Sequence, residues 1–298
     1  MKNLEVESFN SVTIIGKPVS TTIRTGQTST GKPYESVNVI VRVEQDIEGK
    51  NSIHEIPVGF FASPYTNGGK ENPMYRNIQT LKELKTIQSH GVNGADTVRL
   101  TKANLRENFF VARSGQLIDG WQLRGAFCST VKEGAKETAT FNVDVFILDM
   151  KDEVNAEGDT TGRFIIKGAV VQYGGTIDVF DFIVEAPDKA DYLQRTLEVG
   201  QTMRLGGHIR FTTEEVQRPA TMSSWGENIE GDSTRTIREL IVTGGADEPY
   251  DEEFGYDPVE IKKALNARKA KIEQAQIEAK NGGQKKAESK PATKYDWE

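Results

Sequence analysis

Apolar and polar residues alternate most regularly at Val37, Val39, Val41 and Val43, which are separated by Asn38, Ile40 and Arg42. A two-residue period places the valines on one face of a strand and the intervening residues on the other. A β-branched run, Ser11 to Ile15, precedes this strand and ends at Gly16, with a turn-rich stretch from Gly26 to Pro33 in between. After a hairpin loop at Asp46 to Asn51, His54 to Phe61 reads as a third strand, with Pro57 and Gly59 marking a bend or bulge. Pro73 suits the first turn of a helix through Ile78, Leu81, Leu84 and Ile87, which Gly91 would stop. Strands resume at Thr97 to Ala103 and at Asn108 to Arg113.

The next stretch follows the same order. Its strands are Gln122 to Phe127, Thr140 to Leu148, and Arg163 to Gln172 with an additional arm, Thr176 to Val184. A short helix at Ala190 to Leu197 follows, then Thr202 to Phe211 and, after a long loop containing Trp225, Ile237 to Thr243. Three collinear matches accompany this repetition: Gly16 to Thr21 with Gly125 to Thr130, Asn38 to Val41 with Asn142 to Val145, and Thr97 to Leu100 with Thr202 to Leu205. Together they predict a duplicated domain. Three strands, a helix and two strands is the order of an OB-fold, a five-stranded Greek-key barrel. A β-sandwich of the same strands competes, but would not require a helix at the same place in both halves. The expected architecture is mainly β, with two OB-fold-like barrels in tandem, at residues 1–119 and 120–245. An acidic-aromatic segment, an amphipathic helix and a flexible tail occupy residues 246–298.

In that last region, Asp257 can cap a helix that has Pro258 in its first turn, with Glu260 completing a capping box. Ile261, Leu265 and Ile272 form an apolar stripe, and Asn281-Gly282-Gly283 should end the helix. The polar stretch Gln284 to Thr293 is expected to be disordered. The chain finishes Lys294-Tyr295-Asp296-Trp297-Glu298.

Composition narrows the class. The chain has 298 residues, enough for about two domains with their own cores. A single cysteine, Cys128, forbids an intramolecular disulfide, and with three histidines it excludes a cysteine-rich zinc site. The expected setting is a reducing cytoplasm, and no apolar run suits a membrane span or a secretory signal. The net charge of -7 speaks against a nucleic-acid partner until it is divided along the chain. Residues 1–119 carry 14 Lys and Arg against 12 Asp and Glu, residues 120–245 carry 13 against 20, and residues 246–298 carry 10 against 12. The first domain is mildly basic. Six carboxylates and no cation crowd Asp247 to Asp257.

Catalytic templates are missing: there is no Gly-x-Ser-x-Gly elbow, phosphate-binding Gly-Lys-Ser/Thr loop or His-Glu-x-x-His helix. No enzyme and no cofactor are therefore expected, and His54 and His208 read as structural or surface residues. A predicted OB barrel presents ligands on the outer face of strands two and three and on the loops joining strands one to two and four to five. Single strands are held there by cations along the phosphates and by aromatic faces under the bases. On this surface the first repeat offers Arg24, Lys32, Tyr34, Asn38, Arg42, Phe61, Tyr65, Lys102, Arg106 and Phe109. Burial in the core is the alternative for Phe61 and Phe109. The second repeat offers Arg124, Lys132, Lys136, Arg204 and Arg210, amid an acidic excess that suits a weaker ligand site or a protein-facing surface.

The acidic block interleaves Tyr250, Phe254 and Tyr256 with Asp251, Glu252 and Glu253. A flexible segment of this kind resembles a single strand in charge and stacking capacity, so it could compete for the groove or recruit basic partners. Tyr295 and Trp297 would add a docking tip. The layout, and the run Thr243-Gly-Gly-Ala-Asp-Glu-Pro-Tyr-Asp-Glu-Glu-Phe-Gly-Tyr-Asp-Pro258 in particular, resembles the single-stranded DNA-binding proteins of tailed bacteriophages. The tip departs from the bacterial pattern of acidic residues followed by Pro-Phe. The resemblance implies sequence-tolerant binding of single-stranded DNA in replication, recombination or repair, inside a host cytoplasm if the source is viral. It also implies contacts with replication or recombination proteins through the tail. Self-association stays open. A protein-interaction or viral assembly module is the competing function, and a metal-dependent nuclease using second-repeat carboxylates is a third.

Overall fold

The computed structural model describes residues 1–28, 30–66, 68–112, 114–216, 222–223, 226–227 and 233–288. Trp225, Tyr295 and Trp297 lie outside the described residues, as do residues 289–293 of the stretch expected to be disordered. From the N-terminus come β1 (Asn10–Gln27), β2 (Pro33–Ile47), β3 (Lys50–Ala62), α1 (Pro73–Lys82), α2 (Ile87–Gly94) and β4 (Val98–Glu107). The short strands β5 (Phe110–Val111), β6 (Leu117–Ile118), β7 (Trp121–Arg124) and β8 (Phe127–Thr130) follow. The second half contains β9 (Thr138–Val154), β10 (Thr160–Val171), β11 (Ile177–Val184), α3 (Pro187–Thr196), β12 (Thr202–Val216), β13 (Met222–Ser223), β14 (Gly226–Glu227) and β15 (Ser233–Gly245). It ends in α4 (Pro258–Glu288).

Two OB-fold-like barrels stand in tandem. In the first, the long β1 changes register between Pro18 and Ser20, so its first half pairs with β4 and its second half with β2. β2 pairs with β3, and β7 closes the ring by lying parallel to β3 and antiparallel to β4. The second barrel repeats this circuit with β9, β10, β11, β15 and β12, again closed by one parallel pair, β11 with β15. The inward valines of β2 are buried, as their alternation predicts, beside Ile56, Val58 and Phe60 of β3 and Leu105 of β4. Phe141, Val143, Phe164, Ile166, Phe180 and Phe182 do the same in the second barrel. A continuous antiparallel pairing from Asn10 with Val143 to Ile15 with Thr138 joins the barrels, and one apolar cluster runs through both.

Several sequence expectations need correction. Asn108 to Arg113 is not the fifth barrel strand: Phe110–Val111 pairs only with Leu117–Ile118, and Arg113 lies outside the described residues. The closing strand is Trp121–Arg124, which the sequence reading assigned to the second repeat, and Phe127–Thr130 pairs with β4. Strands of the first barrel therefore continue past residue 119 to Thr130. Thr176 to Val184 is no extra arm: its strand, Ile177–Val184, is the third of the second barrel. Of the three sequence matches, only Thr97 to Leu100 with Thr202 to Leu205 joins equivalent strands. Asn38 lies in the second strand of its barrel, whereas Asn142 lies in the first strand of the other. Val-x-Val alternation fits any half-buried strand, so it carries no information on which strand it is.

The first helical region is also divided. Asn72 caps α1 by accepting from the Met74 N–H at 3.0 Å, with Pro73 in the first turn. α1 then ends at Lys82, because Thr86 starts α2 with a capping box in which Thr86 and Ser89 exchange side chain to backbone hydrogen bonds. Gly91 does interrupt the helical run as expected, its left-handed φ of 72° kinking the short α2, but the run it interrupts is not one long helix. Asp257 caps α4 as expected, its carboxylate accepting from the Val259 N–H at 2.8 Å. Glu260 meets Lys263 at 2.6 Å instead of completing a capping box. α4 passes through Gly282 and Gly283 and takes in residues 284–288, part of the stretch expected to be disordered.

Candidate nucleic-acid interface

The alternation that buries the valines turns Ser36, Asn38, Ile40 and Arg42 outward on β2. Register sets their neighbours: Arg24 stands opposite Ser36, Thr22 opposite Asn38, Phe61 opposite Ser36 and Gly59 opposite Asn38. Beyond β3, Gly59 adjoins Arg124, and Arg124 faces Asn104. One row thus crosses the sheet from Thr22 through Asn38, Gly59 and Arg124 to Asn104. A cleft of about 560 Å³ opens over this row, with Phe61, Lys102, Arg106, Gln122, Arg124 and Asn104 among its walls.

Its shape follows from local backbone choices. Gly59 leaves the floor low. At Gly125, a Cβ would run into the Phe60 ring, so glycine there lets Phe60 fill the core beneath. Lys102 has φ 53° in the left-handed region, where β4 carries an extra residue between its pairings with Val12 and Ile14. This bulge lifts Lys102 out of the ladder, and its ammonium sits 5.4 Å from the Phe127 ring centroid. Phe61 is 52% exposed, so it is not the core residue that was its alternative. Its ring packs at 4.8 Å and a 36° tilt against Tyr34, which itself covers Gly26 of β1. The side-chain oxygen of Asn104 is buried in the wall with no hydrogen-bond partner.

Other candidates fall elsewhere. Lys32 is exposed in the turn between β1 and β2, where its N–H meets the Thr28 hydroxyl at 3.1 Å, and Tyr65 is exposed beyond β3. Arg42 meets Glu44 at 3.9 Å. Lys132 and Lys136 are exposed between β8 and β9. Arg106 reaches into the second barrel, where it bonds Gln172 and lies 3.7 Å from Asp178. Phe109 lines a second cleft of about 360 Å³, with Arg106, Glu107, Arg124, Ile177, Asp178, Arg268 and Lys271. Arg268 of α4 ion-pairs with Glu107 there. Burial pushes the Glu107 and Asp178 carboxyls up, and the hydrogen bond to Glu107 raises the Arg268 guanidinium. Sequence reasoning missed Gly59, Asn104, Gln122, Arg268 and Lys271. The glycine in a strand was visible as a bulge signal, but the parallel β3–β7 closure that gives it meaning was not.

The same surface of the second barrel is closed. By the matching registers, Ile183 stands where Gly59 does, Ile241 where Arg124 does, and Glu185 where Phe61 does. Ile183 and Ile241 are buried against Ile47 at the end of β2. Gln45 fixes this junction by donating to the Ile209 carbonyl at 2.9 Å and accepting from the Ala139 N–H at 2.8 Å. Buried His54 accepts from the Phe211 N–H at 3.3 Å, and burial pulls its pKa down. Glu185 belongs to an ion network in which Arg210 holds Glu185 at 2.6 Å and Glu239 at 2.9 Å, while Arg163 meets Glu239 at 2.6 Å. Arg204 is held by Asp144 at 2.7 Å, with its guanidinium 4.4 Å from the Phe9 ring centroid. The two arginines expected to meet a ligand are thus engaged internally.

The acidic-aromatic segment is folded, contrary to the expected flexible competitor. Tyr250 donates to Asp144 at 2.7 Å, and burial with that bond pushes its pKa up to about 12. Tyr256 donates to the Val6 carbonyl at 2.8 Å and, with Ile261, packs on Phe146, Ala169, Val171 and Ile177. These are outer-face residues of the second barrel, so the segment and the start of α4 cover it. Asp251, Glu252, Glu253 and Phe254 stay exposed. Among the described residues no group of three His, Cys, Asp or Glu is placed to hold a metal ion, and no helix is long and apolar enough to cross a membrane.

Fold and site together define a tandem OB-barrel protein whose first barrel carries an open cleft with cationic and aromatic walls. The chain belongs to the YorF family, whose model matches residues 8–278. No curated protein sequence matches it. Among solved structures it is similar to the single-stranded DNA-binding protein of Thermus aquaticus. A deletion mutant of that protein has a TM-score of 0.49 and 10% identity, covering 83% of this chain and 97% of that one. The wild-type form has 0.47 and 10%, covering 83% and 95%.

Proposed function

We propose that the protein binds single-stranded DNA without sequence preference, through the outer face of its first barrel, and that it catalyses no reaction. The observation that carries this reading is exposed Phe61, packed on half-buried Tyr34, beside Lys102, Arg124 and Arg24 on the face where OB barrels take ligands. Aromatic rings stack on any base, and cations follow the phosphates without reading sequence. Among the described residues the matching face of the second barrel is closed by Ile47, Ile183 and Ile241, and that barrel would carry the tail and brace the first. Such a protein would shield DNA intermediates in replication, recombination or repair, as the phage-type resemblance implies, in a host cytoplasm. Exposed Asp251 to Phe254 would be the surface offered to replication or recombination proteins. The nuclease alternative loses support because Glu185 and Glu239 are already held by arginines.

Titration of a fluorescent oligo-dT at two salt concentrations tests the proposal. Binding at about micromolar or tighter, weakening steeply with salt, is expected, because each phosphate contact adds about 0.7 to the log–log salt slope of a single strand. Absence of binding at low salt would remove the reading.

A further inference from the structure

The two clefts share a wall. Arg106 and Arg124 line both the first-barrel cleft and the second one, which lies between the first barrel, the β10–β11 hairpin and α4. The second cleft has its own cations, Arg268 and Lys271, facing the carboxylates of Glu107 and Asp178. Those carboxylates are already engaged by Arg268 and Arg106. Arg124 and Lys271 enter no ion pair among the described residues, and although Asp178 feels Arg124 and Asp119 stands near Arg268, the lining itself carries four cations against two carboxylates. Aromatic surface is present as well: Phe109 lines it, and the hairpin that supplies Gly175 and Thr176 to its wall also presents Tyr173, 87% exposed. A tyrosine so exposed at a hairpin turn contributes nothing to the core.

We infer that this junction is a second, contiguous subsite for the same strand, in which Lys271 of α4 receives phosphate and Tyr173 offers a stacking face. The strand would leave the Phe61 face past Arg124 and continue between α4 and the β10–β11 hairpin. Geometry favours one ligand over two separate sites, because two shared arginines leave no boundary between the clefts. The placement also gives α4 a role in binding. Its Ile261 end fixes it to the second barrel, and the Arg268–Glu107 pair and a 3.4 Å contact from Gln276 to the Gly115 carbonyl hold it to the first. The inference rests on the proposed single-strand binding, and its test separates the two.

The full-length protein would be titrated with oligo-dT of about 8 and about 24 nucleotides, the shorter within the range of roughly 4 to 16 that one OB barrel takes. Lys271→Glu and Tyr173→Ala should each weaken the long strand about three- to tenfold, several times more than the short one. Lys271→Glu should also lower the long-strand salt slope by about 0.7. Arg124→Ala, in the shared wall, should weaken both lengths. Lys271→Gln serves as a milder check should the charge reversal disturb folding, monitored by circular dichroism. Equal losses on both lengths, or none on the long strand, would overturn the subsite. Failure of the wild type to bind either length would instead remove the parent proposal, and the subsite with it.

Discussion

A side chain half exposed on a barrel face has more to offer a ligand than the fold. Phe61 is such a residue, so Phe61→Ala should leave the melting temperature almost unchanged while weakening single-strand binding by about 1 to 3 kcal/mol, the usual worth of one stacked base. Fluorescence titration and thermal denaturation of the same preparation check both halves. Arg210 is its opposite. Replacing it by Met would remove the close partner of Glu185 and leave both Glu185 and Glu239 to Arg163, at 3.7 and 2.6 Å, at a cost of about 2 kcal/mol, with little effect on DNA affinity. The pH dependence supplies a sign. Arg210's hydrogen bond holds the Glu185 carboxyl below its ordinary value, so the stabilisation is complete above about 4.3 and is lost as the pH falls through the lowered pKa. Urea denaturation should therefore show a gap between wild type and Arg210→Met that is wide at pH 7 and narrows in acid.

At the scale of elements, what could be read from sequence were features with a local cause. The valine alternation of β2, Pro73 in the first turn of α1, and Asp257 with Pro258 each place an element through its own residues. The closing strand had no such signature. Trp121–Arg124 has four residues, and it is a barrel strand only because distant β3 and β4 flank it. That also explains the incomplete view of the site: Phe61 and Lys102 were legible as outward residues, whereas Gly59, Asn104 and Arg124 meet only through that closure. The Gly125 backbone beside β7 is equally dependent on its surroundings. Gly125→Ala should destabilise the first barrel by about 1 to 3 kcal/mol, since the new methyl group must displace the Phe60 ring. Chemical denaturation measures it.

Across the whole molecule, the two barrels share a topology and differ in what their outer faces meet. The first keeps its face open, while the second has its face covered by the end of β2, by Tyr256 and by the start of α4. The net charge of -7 misleads because it sums unlike surfaces: the carboxylate excess lies in residues 120–298, whereas Lys102, Arg106 and Arg124 line the open cleft of the first barrel. The folded tail changes one expectation drawn from sequence. A flexible competitor for the groove could be removed at no cost to the fold, whereas removing residues 246–298 would uncover Phe146, Ala169, Val171 and Ile177. A chain ending at residue 245 should therefore melt lower and aggregate, and Ile261→Asp should reproduce the lower melting temperature.

The central claim is that the strand lies on the first barrel. Ultraviolet crosslinking of iodouracil-substituted oligo-dT, followed by peptide mapping, reads that placement directly. Crosslinks should fall at Tyr34 and Phe61. Crosslinks confined to the outer strands of the second barrel, with none on β2 or β3, would contradict it.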